Sequence, residues 1–366
     1  MRFRKRVKVF PGFYLNLSKS GISSTLGVNG ANINFSKKGT YLNTGIPGTG
    51  LYDRKKIGTK QDSHFSKFTE QITIIENYQE IDGEIKSAET DKLTSANLNE
   101  LKETLEEVYN DRIEINLEIS QTKKEIKSAK NQQLIASIFI IGLLLKKFKN
   151  KVLERKEYLS DLENQLKNSF VNIDVKFDDS FKDKYNELLN SYNKLLTTEI
   201  IWDITSSVSQ DMKATRSSAT SVITRKIVKF KFDNIDIIKS TYPAFHFENK
   251  NGGDLYIYPA FIILTTNNNK FALIDIKDLN VTFSQQRFIE EEKVPSDTKT
   301  IDKTWAKVNK DGSPDKRFKG NYEIPIVNYG KIEIKTSFGL NELYSFSNFE
   351  NSEQFAKIFN DYKETL

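Results

Sequence analysis

The spacing of hydrophobic positions changes character twice along this chain. Up to about residue 58, apolar and polar residues alternate in short runs at 14–18, 31–35 and 41–44, separated by glycines at 12, 21, 30, 39 and 48. Alternation with turn glycines at a nine-residue interval predicts a small antiparallel β meander, with Leu15, Leu17, Ile33 and Phe35 on its apolar face. From residue 62 the step becomes three and four. Phe65, Phe68, Ile72 and Ile75 follow a cap at Asp62 or Ser63. Next come Leu98, Leu101, Leu105, Val108, Arg112, Ile115, Ile119, Thr122 and Ile126, a heptad pattern with two polar lapses. Phe148, Val152, Arg155, Leu159, Leu162 and Leu166 form a second series out of register with the first, which predicts two helices folding back near Gly142.

After residue 170 the period returns to two. A strand is expected at 171–177, then a helix carrying Phe181, Tyr185, Leu188, Tyr192 and Leu195, then a Ser/Thr-rich stretch at 206–224 that reads as a polar loop or an edge strand. Strands are expected at 228–232, 244–248, 255–264, 271–276, 280–283, 322–327, 331–335 and 343–346, and an amphipathic helix closes the chain with Phe355, Ile358, Phe359 and Tyr362 on one face. The pattern as a whole predicts an α+β multidomain protein: a β meander at 1–58, a helical hairpin or coiled coil at 62–170, and a mostly antiparallel β domain at 171–366 with its closing helix.

Midway through the helical region, residues 131–145 carry no charge, and 134–145 are almost wholly apolar. Fifteen helical residues reach only about 22 Å, short of the roughly 30 Å hydrocarbon core of a bilayer. Three readings remain open: the buried tip of a hairpin or an oligomer core, a monotopic membrane contact, and a span. Lys127 and Lys130 on one side and Lys146, Lys147, Lys149 and Lys151 on the other suit the second reading. The contact residues in either of the first two would be Ile138, Phe139, Ile141 and Leu144.

Charge sharpens this picture. Residues 1–60 hold twelve Lys/Arg against the single acid Asp53, whereas the remainder of the chain's 55 basic and 49 acidic residues leaves 43 against 48. The basic character therefore belongs to the N-terminal region, where Arg2, Arg4, Lys5, Arg6 and Lys8 are the candidate contacts for an anionic partner, either membrane lipid or nucleic acid. No cysteine is present, which fits a cytoplasmic protein and removes thiolate chemistry. Pro11, Gly12, Asn16 and Ser18 interrupt any signal-peptide apolar core. Two histidines, His64 and His246, supply little material for a catalytic triad or a zinc site.

The N-terminal motifs also carry a likeness. Met1-Arg-Phe-Arg-Lys5, Leu15-Asn-Leu-Ser-Lys-Ser-Gly-Ile-Ser23, Gly30-Ala-Asn-Ile33 and Gly45-Ile-Pro-Gly-Thr-Gly-Leu-Tyr52 together resemble the bacterial domain of unknown function 4236 over residues 1–53. The resemblance implies a small β module found in bacterial proteins of varied architecture, and it brings no activity or binding residues with it. The glycines from Gly45 to Gly50 are not a Walker loop, because Leu51 and Tyr52 stand where Lys and Ser/Thr would be needed. The C-terminal pattern of a meander closed by one helix resembles the pleckstrin-homology-like superfold in architecture alone, which names no ligand.

One long polar stretch, 304–321, reads first as a structural loop anchored by Trp305 and Phe318, and second as a partner loop through Trp305, Asp311, Asp315 and Arg317. Its Asn309, Asp311 and Asp315 lack the full ligand set of a calcium loop. His246 stands between Phe245 and Phe247 and reads as a partly exposed strand histidine. No nucleophile, base and orienting group assemble from local motifs, and no cofactor is implied. The sequence points to a non-enzymatic interaction or scaffold protein. It is expected to self-associate through the helices, to bind an unknown protein partner, and to reside in the cytoplasm, peripheral or monotopic at the inner face of the cell membrane. Nucleic-acid binding through the basic N-terminal domain is the alternative.

Overall fold

The computed structural model of the chain describes residues 83–138, 142–177, 179–265 and 270–366, and for residues 3–58 the backbone strands alone. The apolar face assigned to Leu15, Leu17, Ile33 and Phe35, and the helix expected around residues 65–75, lie outside the described residues. Strands Ser24–Val28, Ala31–Ser36, Gly39–Gly45 and Tyr52–Gly58 pair in order as an antiparallel meander. Strands Phe3–Phe10 and Phe13–Ser20 belong to another sheet, with Phe170–Phe177 and Ile238–Ser240, the last two parallel.

The chain divides into two units, each drawn from separate stretches: residues 1–2, 19–79 and 111–170 in one, residues 3–18, 80–110 and 171–366 in the other. In the first, the later part of helix α1 (Asn99–Ile138) lies antiparallel to helix α2 (Gly142–Asn168). Rising numbers on one meet falling numbers on the other: Arg112 with Leu166, Glu118 with Tyr158, Glu125 with Arg155. Ile115, Ile119, Ile126 and Ala129 are buried along this seam with Val152 and Leu162. Both polar lapses sit there too. Thr122 is buried, and Arg112 donates from Nη1 to the carbonyl oxygens of Leu166 (2.9 Å) and Ser169 (2.7 Å), placing a cation on the negative end of α2.

The second unit is built on a seven-stranded and a five-stranded sheet, helix α3 (Asp179–Leu195) and the last helix of the chain, Phe349–Thr365. Its main core joins both sheets to both helices, with Tyr192 stacked on Phe245 at 4.3 Å and Phe230 on Phe247 at 3.9 Å. Helix and sheet approach closely at Gly330, where a Cβ would stand 1.8 Å from Ser352 Oγ. The seven-stranded sheet curls on itself. Its order runs from edge strand Ser221–Val228 through Ile201–Ser209, Asn341–Phe346 and Glu323–Lys335 to Asn280–Ile289, yet Arg225 on the first strand forks onto Glu290, just past the last, with two bonds of 2.8 Å. A second small core of Trp202, Ile204, Val327, Tyr329 and Leu343 fills the curl. The guanidinium lies 4.6 Å from the ring centres of both Trp202 and Phe288.

Several strand expectations are revised. The run at 255–264 is a hairpin, Asp254–Ile257 and Phe261–Thr265, turned at Pro259. The runs at 322–327 and 331–335 fuse into one strand, Glu323–Lys335. Lys299–Trp305 is a strand with five exposed residues in succession, so it shows no alternation. The Ser/Thr-rich stretch forms much of an antiparallel pair that ends in the edge strand. His246 is buried rather than partly exposed, because its ring stacks on Tyr256 at 4.4 Å and its Nε2 meets Asp254 at 3.0 Å.

A polar network crosses the interior. Asp203 and Glu342 alternate onto the core side of adjacent strands, where Asp203 sits opposite Tyr344. Glu342 accepts from Ser87 Oγ and Asn249 Nδ2, and Asp203 accepts from the Lys250 amide at 2.8 Å. Asn249 Oδ1 in turn accepts from the amides of Asn251 and Gly252, and Asn251 Nδ2 donates to the Ile85 carbonyl at 2.6 Å. The turn at 249–253 and the segment at 85–88 are thus fastened to both strands. Burial pushes the Glu342 carboxyl up to about 7, and the neighbouring Asp203 charge adds to the rise. Above that pH the folded state holds an unwelcome charge that the unfolded chain carries freely. The contribution of Glu342 is therefore full below about pH 4.5 and shrinks as pH rises toward about 7, by on the order of 3 kcal/mol. Denaturant titrations of wild type and Glu342→Gln at several pH values should show the wild type losing stability relative to the variant across that window; a difference independent of pH would refute the assignment.

Candidate functional site

Two surfaces stand out, one in each unit. In the first unit the seam protects only the stripe that faces the partner helix. Past Ala129 the final turns of α1 leave Leu134, Ile135 and Ile138 with 63%, 54% and 67% of their surface exposed. Lys127 and Lys130 precede them in the open, and Lys149 and Lys151 are exposed on α2. Phe139 and Ile141 lie outside the described residues, as does the side chain of Leu144. A shallow groove of about 450 Å³ along α1 is lined by Asn116, Ile119, Ser120, Lys123, Lys124 and Lys127, so the approach to the apolar end is basic. Among the described residues no helix is long and apolar enough to cross a membrane.

In the second unit, two loops meet. The first joins Ile201–Ser209 to Ser221–Val228 and contains the short helix α4 (Met212–Thr215), whose first amides are capped by Asp211. Arg216 ends that helix in the left-handed region at φ 55°. The second is the long polar stretch singled out above. Its Val308 amide donates to the Arg216 carbonyl at 3.0 Å, its Lys307 Nζ to the Thr215 carbonyl at 3.2 Å, and Thr304 and Ser218 share a hydroxyl bond of 2.8 Å.

The centre of the junction is Asp315, which is 1% exposed. Arg317 forks onto it through Nε (2.8 Å) and Nη2 (2.7 Å), and Arg216 reaches it from the other loop through Nη1 at 2.6 Å. The Arg317 guanidinium above all, with help from Arg216, holds the Asp315 carboxyl well below the usual carboxylate range. Arg216 also lies 5.5 Å from the ring centre of Phe318. Of the residues anticipated here, Asp315 and Arg317 are brought together. Asp311 instead makes its own turn with Ser313, and Trp305 is half-buried at the end of its strand. Arg216 was not anticipated, since nothing in the local pattern ties it to a residue 99 positions later.

The remaining polar clusters are internal ties. Burial pushes the Glu290 carboxyl up, but the bonds from Arg225 and Tyr329 outweigh this and hold it below its ordinary value. Among the described residues no group of three or more His, Cys, Asp or Glu is placed to hold a metal. Of the basic N-terminal residues, Arg4, Lys5, Arg6 and Lys8 fall on strand Phe3–Phe10; their side chains, and Arg2, lie outside the described residues.

A family model described as "Protein of unknown function (DUF4236)" matches residues 1–54. The likeness thus spans the N-terminal strands and stops short of both surfaces. No curated protein and no solved structure matches the chain.

Asp315→Asn should uncouple the loops. Because the folded carboxyl titrates below its unfolded counterpart, the tie is fully present above the unfolded value and is lost only as pH falls into strong acid. Hydrogen exchange of the Val308 amide should quicken in the variant at neutral pH while amides of Phe271–Asp275 keep their protection. Unchanged exchange at Val308 would mean that Asp315 does not hold the junction.

Proposed function

We propose that this chain is a non-enzymatic interaction protein that docks on an anionic membrane surface through the tip of its helical hairpin. The observation that carries the reading is the exposure of Leu134, Ile135 and Ile138 at the end of a helix whose approach is lined with lysines. Apolar side chains of this size gain roughly 1.5–3 kcal/mol each when fully buried. A lysine near an anionic leaflet adds about 1 kcal/mol. Either term alone gives weak, reversible attachment, and the two together hold. The contact is monotopic, on the inner face of the cell membrane, with Phe139, Ile141 and Leu144 continuing the apolar end.

In this reading the second unit is the part that engages a protein partner. The likeness of its sequence pattern to the pleckstrin-homology-like superfold supplies no ligand. Self-association through the hairpin is the competing use of the same tip. Nucleic-acid binding rests on the N-terminal charge, Arg2 to Lys8.

Full-length protein should sediment with vesicles of phosphatidylcholine plus phosphatidylglycerol and much less with phosphatidylcholine alone. Leu134→Asp/Ile138→Asp should lower the affinity by about tenfold or more, since charge on the inserted apolar face costs a few kcal/mol, while helicity is retained because both positions are exposed. Wild-type binding by the double variant would defeat the reading. A lipid-free oligomer that the same variant dissociates would assign the tip to self-association instead.

A further inference from the structure

We propose that the paired loops at 211–220 and 306–322 form a second contact for the same kind of anionic lipid surface, carried by the second unit. This rests on the reading that the chain works at such a surface, and it concerns residues that the hairpin does not use.

The first argument is charge. The two loops carry seven basic residues, Lys213, Arg216, Lys307, Lys310, Lys316, Arg317 and Lys319, against Asp211, Asp311 and Asp315. Lys213, Lys310, Lys316 and Lys319 are exposed and make no ion pair with the described residues. The chemistry of the free cations narrows the partner. Arg317 uses the planar fork that could read a single phosphate on Asp315, and Arg216 is held by the same carboxylate through Nη1 and lies over the Phe318 ring. What remains is lysine, a hydrated point charge on a flexible stem, which suits a diffuse anionic surface better than a specific phosphate.

Apolar exposure points the same way. Met212, Phe318 and Tyr322 stand 47%, 41% and 58% exposed on these loops. Apolar and aromatic side chains flanked by lysines are what the headgroup region accepts, the rings resting at the acyl boundary and the ammonium groups at the phosphates. Single-stranded nucleic acid fits less well, because the guanidinium of Arg216 already lies over the Phe318 ring on which a base would stack. Finally, the loops are held together before any partner arrives. The Asp315 fork, the Val308 amide bond and the Ser218–Thr304 hydroxyl bond order both of them. Little further ordering has to be paid for on binding.

Three full-length variants decide the matter on the vesicles named above: Lys310→Glu/Lys316→Glu/Lys319→Glu in the loops, Lys182→Glu/Lys229→Glu/Lys357→Glu as a control of equal net charge on exposed positions elsewhere in the second unit, and Leu134→Asp/Ile138→Asp in the hairpin. The loop variant should bind phosphatidylglycerol vesicles about tenfold or more weakly, with an unchanged melting temperature, while the control variant changes little. Equal loss in the loop and control variants would show net charge rather than a site, and overturn the proposal. So would wild-type vesicle binding by the loop variant, including the case where it loses only its affinity for a single-stranded oligonucleotide. If the hairpin variant loses binding and the loop variant does not, the hairpin reading stands and this one falls; the reverse result leaves the loop contact and removes the hairpin.

Discussion

A carboxylate taken out of water must find replacement donors, and the second unit is organised around meeting that requirement. Glu342 draws in Ser87 from 255 residues earlier and Asn249 from 93. Glu290 closes the curled sheet by receiving Arg225 and the Tyr329 hydroxyl, the latter at 2.7 Å. Asp315 ties two loops, and Asp275 accepts from Asn97 Nδ2 at 2.7 Å, fastening the segment before α1 onto the five-stranded sheet. Hydrophobic burial supplies most of the driving force, but it is indifferent to direction. These buried acids are the directional part, since each is costly unless one particular distant segment arrives.

The hairpin follows the opposite economy. Its seam is narrow, its ion pair Lys123–Glu163 is exposed and Arg155–Glu125 only half-buried, and such pairs add little stability. What specifies it is register: apolar residues at the seam, Arg112 at the end of α2, and, among the described residues, none that covers Leu134, Ile135 and Ile138. A helix pair can bury only the stripe on which its members face each other, so apolar residues beyond the seam stay available to another surface.

The two surfaces differ in how they would bind. The hairpin end is apolar with a basic approach, whereas the paired loops are basic with scattered apolar residues and an ordered frame. Electrostatic attraction over a surface reaches about a Debye length, near 10 Å at 0.1 M salt, while apolar burial acts only on contact. Attachment through the loops would therefore be the more salt-sensitive of the two.

Read by itself, the sequence determined the kinds of element and where they change. The three-four step ran into α1 and α2 and broke where the fold-back falls; the period of two returned at 171; and the closing helix kept Phe355, Phe359 and Tyr362 buried as its spacing required. Periodicity reports which face of an element is apolar, and that much is local. It does not say what covers the face. Leu101, Leu105 and Val108 continue the heptads of the hairpin, yet they belong to the second unit. Lys299–Trp305 became a strand with no alternation because Glu323–Lys335 offers it backbone partners, and His246 was buried because Tyr256 and Asp254 happen to lie on the adjoining strand. The loop carrying Asp315 and Arg317 was visible as a polar stretch, but its tie to Arg216 was not. Tertiary structure alone decided which buried acid meets which donor, because a hydrogen bond between residues far apart in sequence leaves no periodic trace in either segment.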